Sequence, residues 1–146
     1  MIRLAYADSS VLVKHYVGNE KGSRLASKYI ESSRIYTSSI ARIEVLSALS
    51  RKYQSGEISL DVLSSFKNNF LKDCKRTGFV EVENEIVEES QGLFFRVSIK
   101  TLDAIHLASA IILKRVVNIS YPFLTSDKQL ANAAEKEGFE VIRIGL

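Results

Sequence analysis

Four acidic side chains stand where a bare carboxylate needs a reason: Asp8, Glu44, Asp103 and Asp127. Asp8 ends an apolar run and Asp127 follows Phe123-Leu124-Thr125, each just before a helix-like segment. Capping a helix N-terminus is one use for an Asp at such a junction, because its carboxylate accepts from a first-turn N–H. Glu44 lies in Ile40-Ala41-Arg42-Ile43-Glu44-Val45-Leu46, and its neighbours on the helical surface, Ile40, Ser47 and Ala48, are apolar or small. An ionised carboxylate buried without a partner is costly, so Glu44 either points out through a narrow polar strip or meets a cation. Asp103 sits in the first turn of Thr101-Leu102-Asp103-Ala104-Ile105-His106-Leu107-Ala108-Ser109-Ala110. The helix dipole favours an acid there by roughly 0.3–1 kcal/mol. Ala104, Ala108 and Ala110 predict close packing that brings Asp103 up to a neighbouring element.

If these acids converge, they repel. Two unit charges about 4 Å apart interact by roughly 4 kcal/mol at an effective dielectric near 20. Such a cluster holds protons more tightly than isolated acids do, or it binds a cation. The single Cys74 excludes a thiolate zinc site, whereas carboxylates and water suit Mg²⁺ or Mn²⁺. A metal held this way can ready a water and stabilise a phosphodiester under displacement. Phosphoryl chemistry on a polyanion is therefore the expected class.

Positioning these residues requires a particular scaffold. Strand-like runs at 2–7, 34–38, 79–82, 123–125 and 140–144 alternate with helix-like segments at 11–17, 20–32, 40–54, 59–77, 85–97, 100–116 and 128–137. That alternation predicts βαβ units and a parallel sheet with helices on both faces, an α/β class. Ligands bind such open sheets beyond the carboxyl ends of the strands, where the topology reverses. Asp8 and Asp127 follow strands. The segment 100–116 is apolar on nearly all sides and should be covered on more than one face.

At 146 residues the chain fits one domain, 1–146. Its net charge of +3 permits a nucleic-acid partner without requiring one. One cysteine, no room for a signal peptide before the first strand and no long apolar stretch predict a cytoplasmic protein with no membrane association. His106, inside an apolar helix, is expected to be a satisfied core histidine. Cys74 should be passive, the acidic run 81–89 a solvated face, and Tyr53, Phe66 and Phe70 core or interface on a helical hairpin suited to a dimer contact or a partner's helix.

Four blocks carry a resemblance: Asp8-Ser9-Ser10 followed by Lys14; Ser38-Ser39 with Glu44; Lys100 through Ala110; and Leu124-Thr125-Ser126-Asp127. In order and spacing they resemble the PIN-domain family, closest to VapC-type toxin ribonucleases. The resemblance spans almost the whole chain. It implies a three-layer α/β/α fold with a five-stranded parallel sheet of order 3-2-1-4-5. It also implies an endoribonuclease dependent on Mg²⁺ or Mn²⁺, an RNA substrate, and in the toxin branch an antitoxin partner and a homodimer. Asp8, Glu44, Asp103 and Asp127 match the family's acidic positions, with Asp127 helping to position metal or water. Ser10 and Thr125 match hydroxyl positions that hydrogen-bond the carboxylates. Lys14 and Lys100 are possible phosphate contacts, although Lys100 stands where the family commonly has Arg, whose planar fork it lacks. The alternative is a non-catalytic PIN domain serving as an RNA- or protein-binding scaffold. A phosphoacceptor receiver domain fits poorly, since residues 79–83 offer only Glu after the third strand.

Overall fold

The computed structural model describes residues 2–146. Along the chain run β1 (Arg3–Ala7), α1 (Ser9–Val17), α2 (Ser23–Ser32), β2 (Ser33–Ser38), α3 (Ala41–Gln54), α4 (Leu60–Cys74), β3 (Gly78–Val80), α5 (Asn84–Leu93), α6 (Thr101–Val117), β4 (Phe123–Thr125), α7 (Lys128–Lys136) and β5 (Val141–Arg143). The strands form one parallel sheet in the order β3-β2-β1-β4-β5. From β1 the chain builds outward through β2 and β3, then returns to lay β4 and β5 on β1's other side. The reversal lies between β1 and β4, so the ends of these two strands flank the crevice where such sheets bind ligands.

Alternation along the strands divides the core between two faces. Ala5 and Ala7 of β1 and Leu124 of β4 face Val11, Leu12, Ala26, Val45, Leu49 and Phe70, from α1 to α4. Tyr6 and Phe123 face the opposite layer, Ile86, Leu93, Leu107, Leu130 and Ala134 from α5 to α7. Tyr6 and Phe123 are paired in register and stack with ring centroids 5.2 Å apart. Helices thus cover both faces, as the pattern required. Ala104, Ala108 and Ala110 are completely buried, and α6 is covered on several sides.

Two helices end earlier than hydrophobic spacing suggested. After Leu93 the chain turns tightly, with Phe95 N–H donating to the Gly92 carbonyl, so Phe94 and Phe95 leave the helical path. Helix α4 stops at Cys74, where Arg76 N–H and the Thr77 hydroxyl both donate to the Asp73 carbonyl. Gly22, with φ +90°, lies against the chain's other end: a Cβ there would come within 2.7 Å of Gly145 N. Among the described residues no helix is long and apolar enough to cross a membrane.

Candidate active site

Asp8 leaves β1 and caps α1, and both of its oxygens are in use. Oδ1 accepts from the Ser10 hydroxyl at 2.6 Å and from Val11 N–H at 3.3 Å, and Oδ2 accepts from the Thr125 hydroxyl at 2.7 Å. Ser10 Oγ in turn accepts from Ser126 N–H and Thr125 Oγ1 from Asp127 N–H, each at 3.0 Å. Because each hydroxyl already receives a backbone hydrogen, its own hydrogen is directed at Asp8. The two hydroxyls thereby tie the end of β1 to the loop after β4. A carboxylate offers about four acceptor positions and three are taken, leaving one on Oδ2. Burial raises the Asp8 carboxyl above its ordinary value, opposed by the charge of His106 and by the Ser10, Thr125 and Val11 hydrogen bonds.

Asp127 caps α7 by accepting from Leu130 N–H at 2.8 Å. Capping and convergence are therefore not rival readings for the two aspartates at strand ends; the cap holds the carboxylate in place. Asp103, in the first turn of α6, accepts no hydrogen bond and forms no ion pair among the described residues. Its carboxyl is pushed up to about 6, first by burial and then by the negative charges of Asp127, Asp8 and, more weakly, Glu44, with His106 pulling the other way. Asp8, Glu44 and Asp127 thus all lie within electrostatic reach of Asp103.

Glu44 is partly exposed and points neither freely to solvent nor at a lysine or arginine. Its Oε1 meets His106 Nε2 at 2.7 Å, and His106 Nδ1 meets the Tyr6 hydroxyl at 2.8 Å. An ionised carboxylate only accepts, so Nε2 carries a hydrogen. The Tyr6 phenol is held protonated, since burial raises it well above its ordinary value, and its hydroxyl meets the ring at Nδ1. His106, 1% exposed, is the satisfied core histidine expected, and it also carries Glu44's orientation down to the completely buried Tyr6. Sequence reasoning left this link out. The available signal was that His106 lies one turn beyond Asp103 on the same face of α6.

No three His, Cys, Asp or Glu side chains among the described residues stand close enough to enclose a metal ion by themselves. This suits a hard ion that keeps much of its water, since Mg²⁺ is usually held by one or two carboxylates plus water. Asp8 Oδ2 has a free acceptor position and Asp103 has all of its own, so the donor chemistry fits such an ion.

Beside the centre a groove of about 560 Å³ is lined by Ser9, Ser10, Lys14, Glu44 and Arg51, among others. Lys14 therefore reaches the site's edge, whereas Lys100 is exposed at the N-terminus of α6, three residues before Asp103. Arg51 was not anticipated. Its signal was a place two turns beyond Glu44 on the same face of α3. Cys74 is passive, its thiol pushed up by burial, and in the acidic run Glu81 and Glu89 pair with Arg42 and with Arg96 and Arg115.

Residues 5–136 match the family described as PIN domain. The chain belongs to the PIN-domain family. This PIN domain resembles several solved structures that share its fold. A toxin-antitoxin complex from Klebsiella pneumoniae superposes with a TM-score of 0.61 at 20% identity, covering 87% of this chain and 90% of that one. VapBC2 from Rickettsia felis, bound to a DNA fragment from its promoter, gives 0.64 at 12% identity over 97% and 98%. FitAcB from Neisseria gonorrhoeae gives 0.60 at 13% identity over 95% and 96%. No curated protein matches this PIN domain by sequence.

Proposed function

We propose that this PIN domain is an endoribonuclease dependent on Mg²⁺ or Mn²⁺, acting in the cytoplasm as the toxin of a VapBC-type toxin–antitoxin pair and as a homodimer. One observation carries the catalytic reading: Asp8, Asp103 and Asp127 share the crevice without an ion-pairing Lys or Arg among the described residues. A scaffold gains nothing from that repulsion, whereas a metal centre requires it.

In this reading Asp8 and Asp103 would hold the metal directly, while Glu44 and Asp127 would hold it through its waters. When bound, the metal supplies a water of lowered pKa and neutralises charge on the phosphodiester. Ser10 and Thr125 aim the Asp8 oxygens, and His106 aims Glu44. Lys14 and Lys100 meet backbone phosphates as point charges. The toxin assignment is supported by the fold shared with a toxin-antitoxin complex and with VapBC2. Exposed Leu60, Val62 and Leu71 on α4 offer apolar surface for an antitoxin or a second copy.

The test is incubation of purified protein with mixed RNA in Mg²⁺, Mn²⁺ or chelator, alongside D8N. Cleavage should need the metal and vanish in D8N, while circular dichroism shows that the variant stays folded. Cleavage that persists in chelator, or survives D8N, overturns the nuclease reading. Sedimentation of the purified chain reads the dimer, and co-purification with the product of an adjacent reading frame reads the antitoxin.

A further inference from the structure

A second hollow, of about 410 Å³, shares no lining residue with the Lys14–Arg51 groove. It starts one residue past Asp127 and is lined by Val97, Ser98, Lys128, Gln129, Asn132, Ala133 and Lys136. No carboxylate lines it, and neither lysine is ion-paired among the described residues. The nearby acids are already occupied: Glu137 with Arg96, and Glu135 with Arg143. Lys128, Asn132 and Lys136 recur every four residues, so they line one face of α7 over about 12 Å.

The position of Lys128 is informative. It is the first residue of α7, where the helix dipole disfavours a cation by roughly 0.3–1 kcal/mol. Asp127 takes the Leu130 N–H at this end, and Lys128, exposed beside it, can meet a further anion. The hollow's floor is apolar, Val97 and Ala133, and Gln129 is braced across it by donating to Ser98 Oγ at 3.0 Å. A cationic rim, amide edges and an apolar floor suit a nucleotide with its base turned out. A duplex keeps its bases inside and is recognised by shape, so an extruded base implies single-stranded RNA.

We infer that this hollow binds a nucleotide of single-stranded RNA next to the phosphate being cut, so that the strand runs from the Lys14–Arg51 groove across the carboxylates and onto α7. The assignment rests on the nuclease reading for its substrate. Lys128 and Lys136 supply phosphate contacts, and such contacts set affinity and its salt dependence without reading sequence.

The experiment measures anisotropy of a labelled single-stranded RNA oligomer in chelator, where nothing is cut, for wild type, K128A/K136A and a remote control, K67A/K72A. Each phosphate contact on a single strand contributes about 0.7 to the salt slope, so the double variant should lower that slope by about 1.4. At 0.1 M salt that is roughly 25-fold weaker binding. The control should match wild type. In Mn²⁺ the same double variant should raise KM with kcat unchanged, the signature of lost uniform binding. An unchanged slope and KM in a variant that still cuts RNA overturns the hollow alone. An equal loss of binding to a duplex overturns the single-strand assignment. Wild type that leaves all RNA intact in Mn²⁺ overturns the nuclease reading instead.

Discussion

Replacing Asp103 by Asn should make this protein more stable and inactive together. The wild-type carboxyl titrates at about 6 against an ordinary 3.8. At about 1.4 kcal/mol per pH unit, that gap caps the cost of ionising it in the folded chain at about 3 kcal/mol. Asp103 is only partly buried, and screening by water brings the figure to about 1–2 kcal/mol. The raised value means that the folded chain binds more protons than the unfolded one between about pH 4 and 6. Wild-type stability therefore falls as pH rises through that window, and the full penalty stands above about pH 7. D103N carries no such penalty. In chelator at pH 7.5 its urea midpoint should lie roughly half to one molar above wild type, taking about 2 kcal/mol per molar for the slope. The two should converge below about pH 4. Mn²⁺ at about ten times its dissociation constant should lift wild type by about 1.4 kcal/mol and close the gap. Should D103N unfold no later than wild type at pH 7.5, Asp103 is not strained by its neighbours and the charge-cluster argument fails.

Tyr6→Phe leaves the buried His106 Nδ1 without its partner at 2.8 Å and should cost about 1–3 kcal/mol by urea unfolding; no loss would show that the hydroxyl does not hold the ring. Thr125→Val keeps the shape but removes both the donor to Asp8 Oδ2 and the acceptor of Asp127 N–H. The Asp8 carboxyl should then rise further, and the acidic limb of the cleavage–pH profile should shift to higher pH. Gly22→Ala meets both a φ of +90° and the Gly145 backbone, so it should cost well over the roughly 1–2 kcal/mol of backbone strain expected of Gly18→Ala, where φ is +82° and the space is open. Thermal melting of the two variants side by side checks the order.

The sheet was legible because β1, β2 and β4 carry apolar or β-branched runs punctuated by polar junctions, and runs this short favour strand over helix. Asp8 and Asp127 were legible for the same reason: the junction that makes each an N-cap also sets it at the crevice. Glu44's need for a partner could be read from its apolar neighbours. The partner's identity could not, because His106 is 62 positions away and only the docking of α6 against β1 and α3 brings them together. Helix α5 was drawn too long since Phe94 and Val97 sit at apolar spacing, while the turn at Gly92 is a backbone event that periodicity does not register. Arg51 and Lys128 are two of 20 lysines and arginines, and local pattern does not say which of them line a hollow.

The hydroxyl clasp on Asp8 also fixes when the centre comes into being. The Thr125–Asp8 bond spans 117 positions, and Asp8 leaves the ribosome long before its partner. A copy translated through α6 already holds Asp8, Glu44 and Asp103, but the Thr125 donor to Asp8 Oδ2 is still missing. Competence arrives only when β4 slots in beside β1, near the close of synthesis, so prematurely terminated fragments should be harmless to the nucleic acid around them. A series of truncations ending on either side of Ser126, translated in a cell-free system, would display that threshold directly.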